Sequence, residues 1–464
     1  MNGKEIIMKI NFDFEKKTGK IKPMHGVGQP PVYGLDDSMY HYLTEAGIPY
    51  SRLHDVGGSF GDNMFVDISN IFRDFDADET KEESYDFPFT DWLIGKLHEY
   101  NCKPVFRLGE TIENYHYIRA YRIIPPKDFA KWARICEHII RHYNEGWANG
   151  FHYGIEYWEI WNEPDNGRDD TENQMWHGTP EQFYELYSVT AKHLKNVFGD
   201  KIKIGGYATC GFRHIFSDPE KFGIECEKCT DRVYSGDRSA NFIRFFEGFM
   251  DYIKKNDVPL DFFSWHSYLT TERTVIVSQY LDRRLKEYGY ENVETHLNEW
   301  NNVCEDRSNP LLILEAAKKE RGTGIAAAKA AAMMLAMQNT NTDVLCYYDA
   351  RLGVSYYAGM FNPLTREPFP LYYSFKAFNE LYKLENQVEC TYDAKPGVYA
   401  IAAANDIKKA VMIANEADED INITTNLCEK TDVYIIDDTK MLEKAELDSS
   451  GFVLPKNSVI LMLG

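Results

Sequence analysis

Two glutamates stand where this chain could do chemistry. Glu163 lies in WEIWNEPD, directly after an aromatic-rich segment, and Glu299 lies in HLNEWN at the end of another. A carboxyl group can donate a proton, accept one, or attack an electrophilic carbon, and two of them across a substrate can divide those tasks. Cleavage of a glycosidic bond needs that division: one carboxyl stays protonated for the leaving oxygen while the other stays ionised to attack the anomeric carbon. A separation of about 5–5.5 Å gives retention through a covalent intermediate, whereas about 6.5–9.5 Å admits a water and gives inversion. Glu163 is assigned as acid/base and Glu299 as nucleophile. Desolvation or a nearby like charge is expected to raise the Glu163 carboxyl. Asn162, beside the acid, is placed to hydrogen-bond a sugar 2-hydroxyl, a contact that strengthens in an oxocarbenium-like transition state.

Such a pair needs a scaffold that brings two distant segments together. Strand-like segments begin at His25, Ile48, Lys103, Ile155, Lys201, Leu260, Val293 and Asp343, with helical patterns between them. One helix, TPEQFYELYSVTAKHLKNVFG, carries its own punctuation: Thr179 and Gln182 form a capping box, Pro180 takes the first position and Gly199 stops it. Alternating strands and helices mean a parallel sheet buried on both faces. Eight such units predict an α/β fold, a (β/α)₈ TIM barrel, whose catalytic groups sit at the C-terminal ends of strands. Strands four and seven then face one another across the mouth. A doubly wound sheet is the rival, but no GxGxxG follows a strand. The alanine-rich GIAAAKAAAMMLAMQ from Gly324 reads as one buried helix. Beyond residue 385 the pattern turns to short alternating runs, predicting a small C-terminal all-β sandwich domain. The expected division is 1–20 as an N-terminal strand pairing with the β domain, 21–385 as barrel and 386–464 as sandwich.

Composition narrows the partners. The 464 residues are 44% hydrophobic and 27% charged, which excludes a disordered chain. A formal net charge of -21 and no basic run argue against nucleic acid and anionic membranes, and leave neutral or cationic small molecules. No apolar run approaches the length of a membrane helix, and the N-terminus lacks a signal-peptide pattern. The nine scattered cysteines read as mostly buried free thiols, so cytoplasm is the expected location. The sequence leaves a homo-oligomer open.

The segments SRLHD at Ser51, YDFPFTDWLIGKLHEYNCKPVFRLG at Tyr85, YWEIWNEPDN, the MWHGTPEQFYELY run, KIGGYAT at Lys203, LDFFSWHSY and HLNEWN occur in one order across most of residues 25–380. Together they resemble glycoside hydrolase family 39, the β-xylosidase/α-L-iduronidase family of retaining barrel glycosidases. The resemblance implies retention, no cofactor and no metal, an acid/base at Glu163 and a nucleophile at Glu299. It also implies that His54 holds the reacting sugar, that His266 contacts the sugar, and that Tyr268 contacts the nucleophile. Trp300 is a candidate sugar-stacking platform or a core tryptophan. Asp349, with Tyr348 at the end of strand eight, is a candidate for a substrate-hydroxyl contact.

Two departures bear on specificity. Where the family places a glutamate near the end of strand three, this chain has FRLGE, with Arg107 and Glu110. Asp55 follows His54 where a small residue is usual. Arg107 is expected to pair structurally with Glu110 or Asp55, an acidic sugar being the other option. Other features read blandly: Cys226-Glu-Lys-Cys229 lacks the second ligand pair of a zinc site, and His138 with His142 reads as a solvated helix face. No ligand cluster is expected at the strand ends, which weakens a metal-dependent hydrolase. The expected function is therefore a retaining, β-xylosidase-like exo-glycosidase acting on plant-type oligosaccharides. An α-L-arabinosidase is the nearest alternative, and an inactive carbohydrate-binding protein is the alternative of another class.

Overall fold

An N-terminal strand, β1 (Ile7–Lys20), precedes eight short strands: β2 (Gly26–Gly28), β3 (Tyr50–Leu53), β4 (Lys103–Leu108), β5 (Tyr157–Ile160), β6 (Lys203–Thr209), β7 (Phe262–Ser267), β8 (Glu294–Trp300) and β9 (Val344–Tyr348). These eight pair in parallel in chain order, and β9 returns to β2 to close the barrel. Each corresponds to one segment expected from the sequence. The structure is a computed structural model and describes residues 7–32, 34–56, 66–111, 123–167, 173–301, 310–352, 357, 359–427 and 431–464.

Helices return the chain between strands and cover the barrel's outer face. Helix 180–198 starts with the capping box of Thr179 and Gln182, each side chain meeting the other's backbone N–H. Helix 129–145 turns Trp132, Ile135, Cys136, Ile139, His142 and Tyr143 inward. That periodicity overturns the reading of His142 as solvated. Its ring stacks on Phe87 at 3.7 Å, and its nitrogens meet Asp91 Oδ1 at 2.9 Å and the Trp147 carbonyl at 2.8 Å. His138 is half-buried, with Nδ1 at 2.8 Å from the Arg134 carbonyl.

The barrel interior demands small residues where neighbouring strands crowd it. A Cβ on Gly205 would lie 2.1 Å from the Phe262 carbonyl oxygen on β7, an atom that cannot rotate away. Gly205→Ala is therefore expected to destabilise the fold by about 3 kcal/mol, at the upper end of overpacking costs. A shift in the urea midpoint at constant slope measures it; an unchanged midpoint would show that the two strands part freely.

After helix 370–382 come β10 (Asn386–Tyr392), β11 (Val398–Ala404), β12 (Lys409–Asn415), β13 (Ile421–Thr425), β14 (Asp432–Ile436), β15 (Met441–Ala445), β16 (Gly451–Leu454) and β17 (Ser458–Leu463). Joined by β1, which runs antiparallel to β10 and parallel to β13, they form one nine-stranded sheet in the order β15-β14-β17-β12-β11-β10-β1-β13-β16. The sheet curls around its own core: Ile10 and Phe12 of β1 share it with Ile413, Ile423, Ile435, Leu454 and Ile460. The alanine-rich helix 324–338 is buried as expected, in a core that also takes Ala410, Met412, Val459 and Leu461 from that sheet. Its small side chains let two layers approach it closely. Among the described residues no helix is long and apolar enough to cross a membrane.

Candidate active site

The NEPD turn after β5 is held in a shape that aims Glu163 at the barrel axis. Trp161 and Glu163 take positive φ angles of 71° and 43°, a conformation that side chains with a Cβ adopt only when their surroundings impose it. The surroundings here are β6. Its Ala208 carbonyl accepts the Glu163 N–H at 3.0 Å, while Asp165 accepts Cys210 N–H at 3.1 Å and the Thr209 hydroxyl at 2.5 Å. On the other side of the mouth, β8 advances two residues, from Leu297 to Glu299, while β7 advances one, from Trp265 to His266, so that His266 pairs with Glu299.

His266 thereby lies between the two glutamates. Its Nδ1 is 2.8 Å from Glu163 Oε1 and 3.4 Å from Glu299 Oε2. Oxygens of the two carboxylates and this nitrogen all fall within 4.8 Å of one another. Asn166 donates to Glu163 Oε2 at 2.6 Å, and Arg238 in turn reaches Asn166. The Tyr268 hydroxyl donates to Glu299 Oε2 at 2.7 Å.

The fourth carboxylate oxygen, Glu299 Oε1, accepts from a residue the sequence reading passed over. Arg52 of β3 is wholly buried and donates through Nη1 to Glu299 Oε1 at 2.5 Å, through Nε to Glu159 Oε2 at 2.8 Å and through Nη2 to Asn162 Oδ1 at 2.7 Å. Glu159 also accepts from Asn298. One guanidinium thus fixes the nucleophile candidate and the amide beside the acid candidate at once. The signal was present in the sequence: Arg52 and Glu159 are opposite charges in the middle of two buried strands, where neither is tolerated alone.

The electrostatics reverse one expectation. Burial alone would raise Glu163, but the hydrogen bond and charge of His266, helped by Arg238, hold its carboxyl down to about 2. Burial raises Glu299, and the charges of Glu163 and Asp55 reinforce it against His266 and Arg52. Burial would depress His266, yet Glu299 and the Glu163 hydrogen bond outweigh it and hold the imidazole above its ordinary value. In the free site the proton therefore resides on the nitrogen side of the His266–Glu163 bond. A proton on a 2.8 Å bond stays available to the carboxyl.

The remaining expected residues fall as follows. His54 is buried beside Asp55, and Asp349 is buried and ion-paired to Arg351 at 2.7 Å. Trp300 is fully buried, its ring edge-on to Tyr347 at 5.1 Å within the barrel core. Arg107 pairs with neither Glu110 nor Asp55: its Nη2 meets Asp67 Oδ1 at 2.6 Å and Thr111 Oγ1 at 3.2 Å. Burial and the Asp67 charge push Glu110 up to about 8, against the Ser69 hydrogen bonds and the Arg107 charge, and both its oxygens accept from Ser69.

Glu163, His266 and Glu299 also correct the expectation of no ligand cluster at the strand ends, since their donor atoms lie close enough to share a cation. The arrangement suits a cation poorly. All four carboxylate oxygens already accept protein donors, and the Arg52 guanidinium beside Glu299 would repel a dication. Cys226 and Cys229 are half-buried free thiols, and Arg273 donates to Cys229 Sγ at 3.3 Å.

The family model of glycosyl hydrolases family 39 matches residues 36–417. The chain belongs to family 39. Over 281 residues it is 27% identical to a β-xylosidase of Caldicellulosiruptor saccharolyticus, covering 57% of this chain and 47% of that protein. Over 246 residues it is 24% identical to a β-xylosidase of Geobacillus stearothermophilus, covering 50% and 39%. The chain thus spans less than half the length of these relatives. Two solved structures share the fold from end to end. A glucosidase from Croceicoccus marinus aligns over 99% of both chains at 20% identity with a TM-score of 0.72. A family 39 β-xylosidase from Caulobacter crescentus aligns over 98% of this chain and 99% of its own at 16% identity with a TM-score of 0.63.

Proposed function

We propose that this family 39 chain is a retaining exo-glycosidase with β-xylosidase-like action on plant-type oligosaccharides. Glu299 attacks the anomeric carbon while Glu163 protonates the leaving oxygen; Glu163 then activates the water that releases the glycosyl-enzyme. The observation that carries this reading is the pair of carboxylates, half-buried Glu163 and buried Glu299, bridged by His266, with oxygens within 4.8 Å. That close approach is in keeping with the carboxyl pair of a retaining enzyme, in which one group attacks directly. The naming of two relatives as β-xylosidases supports the sugar. Loss of catalysis with retained sugar binding fits less well, because both carboxylates and their donors are intact.

The test is hydrolysis of aryl β-xyloside, α-L-arabinosides, β-galactoside and β-glucoside, with NMR reading the first anomer released. Cleavage with retention supports the reading; inversion or silence across the panel overturns it.

The site also fixes a pH profile. Glu299 must be ionised to attack, so activity falls as pH drops through its pKa, which lies above the ordinary glutamate range. The shared proton of His266 and Glu163 must be present, so activity falls again as pH rises through the imidazole pKa, which lies above the ordinary histidine range. A bell-shaped kcat/KM profile with both limbs displaced upward is expected. A profile flat through neutral pH would contradict the shared-proton arrangement.

A further inference from the structure

Asp55 has no counterpart in the mechanism above, and its surroundings are those of a ligand site. It lies two residues past the end of β3 with φ at 51° and is 4% exposed. One oxygen, Oδ2, accepts the Tyr348 hydroxyl. The other, Oδ1, is buried with no hydrogen-bond partner; His54 Nε2 lies 3.0 Å away without the geometry of a bond. Burial, reinforced by the charges of Arg52, Arg107, His266 and Arg351, holds His54 well below its ordinary value, so it is no cation for Asp55. His54 Nδ1 and Arg107 Nε and Nη1 are likewise buried and unpartnered. A buried carboxylate oxygen without a donor is costly unless a ligand supplies one.

From the partnered oxygen, Oδ2, a wall of rings leads to the reaction centre. From Asp55 it passes to Tyr348, then to Tyr357 with centroids 5.3 Å apart, then to Tyr268 at 5.4 Å, whose hydroxyl holds Glu299. Asp55 therefore shares one ring-lined wall with the nucleophile candidate and lies close enough for its charge to bear on Glu299. A carboxylate is acceptor-only, so its partner must be a donor. Resting on the glycosidase reading, we infer that Asp55 is a glycone-specificity residue that accepts a hydrogen bond from a ring hydroxyl of a neutral sugar. Asn162 is placed for the 2-hydroxyl, which leaves one of the remaining hydroxyls to Asp55.

The test is a cycle between protein and substrate, using the best aryl glycoside of the panel and its monodeoxy analogues. Asp55→Ala is expected to lower kcat/KM on the full glycoside by about 10- to 150-fold, the range for a hydrogen bond to a charged group, mainly through KM. For one analogue other than the 2-deoxy sugar, variant and wild type should agree within about twofold. Asp55→Asn, which keeps shape and one acceptor, should show the same pattern with a smaller loss should the alanine variant fold poorly. Tyr348→Phe removes the hydroxyl on Oδ2 yet should leave the deoxy pattern unchanged. An equal loss across all analogues would make Asp55 merely structural and overturn the inference. Calorimetry of the same glycosides with the Glu299→Gln chain, with and without Asp55→Ala, reads the cycle without turnover. Binding in the expected pattern with no wild-type hydrolysis would overturn the glycosidase reading and keep Asp55's role, whereas no saturable binding would overturn Asp55's role.

Discussion

Glu299→Ala is expected to leave a folded chain whose turnover of its best aryl glycoside falls by about 10⁴-fold or more, as removal of a covalent nucleophile does elsewhere. The fold should survive because the deletion relieves as much as it removes. Arg52 keeps Glu159 and Asn162, and the crowding of Glu299 against the charges of Glu163 and Asp55 disappears. The chief loss is an acceptor for the Tyr268 hydroxyl, worth about 1–3 kcal/mol if no water replaces it. Small nucleophiles fit the space left behind, so azide should restore part of the turnover and yield a glycosyl azide of inverted configuration. Circular dichroism and a thermal melt separate loss of chemistry from loss of fold. Full activity in this variant would sink the assignment of Glu299.

How far the sequence carries the argument can be seen residue by residue. Eight strand segments and the two glutamates were legible because parallel strands and strand-end carboxylates leave local signatures. The family resemblance implied that Tyr268, just past β7, contacts the nucleophile, and its hydroxyl does meet Glu299. What stayed hidden depends on contacts between distant segments. The register change at Trp265 and His266 lets one imidazole touch both glutamates, and nothing in SWHSY encodes it. The proton distribution follows from that contact, so an argument from desolvation or a nearby like charge raised the wrong carboxyl. Arg107 illustrates the same limit: its partner Asp67 lies 40 positions away in the chain and carries no motif. His142 differs from these, because its place on the buried face follows from the helical periodicity of residues 132–143.

The larger structural effect belongs to Arg52. Arg52→Met is expected to destabilise the fold by about 3–5 kcal/mol, because it leaves the carboxylates of Glu159 and Glu299 buried without their cation. The side chain is wholly enclosed, as is Glu159, so solvent does not screen the loss. Arg52→Lys should recover only part of it, since a single ammonium cannot reproduce three donors aimed at Glu159, Asn162 and Glu299. The pH dependence distinguishes this account from simple loss of packing. Arg52 is one of the influences holding the raised Glu299 carboxyl down, so its removal pushes that carboxyl higher. A carboxyl whose folded pKa exceeds its unfolded value binds more protons in the native state, which makes the variant's stability rise as pH falls through that pKa. The gap between variant and wild type should therefore narrow toward acid pH, and the acid limb of any residual activity should move upward. Urea unfolding at a series of pH values measures the first, and kcat/KM profiles measure the second. A gap constant with pH would mean that Arg52 acts through its volume, and the coupling of nucleophile, amide and guanidinium would have to be abandoned.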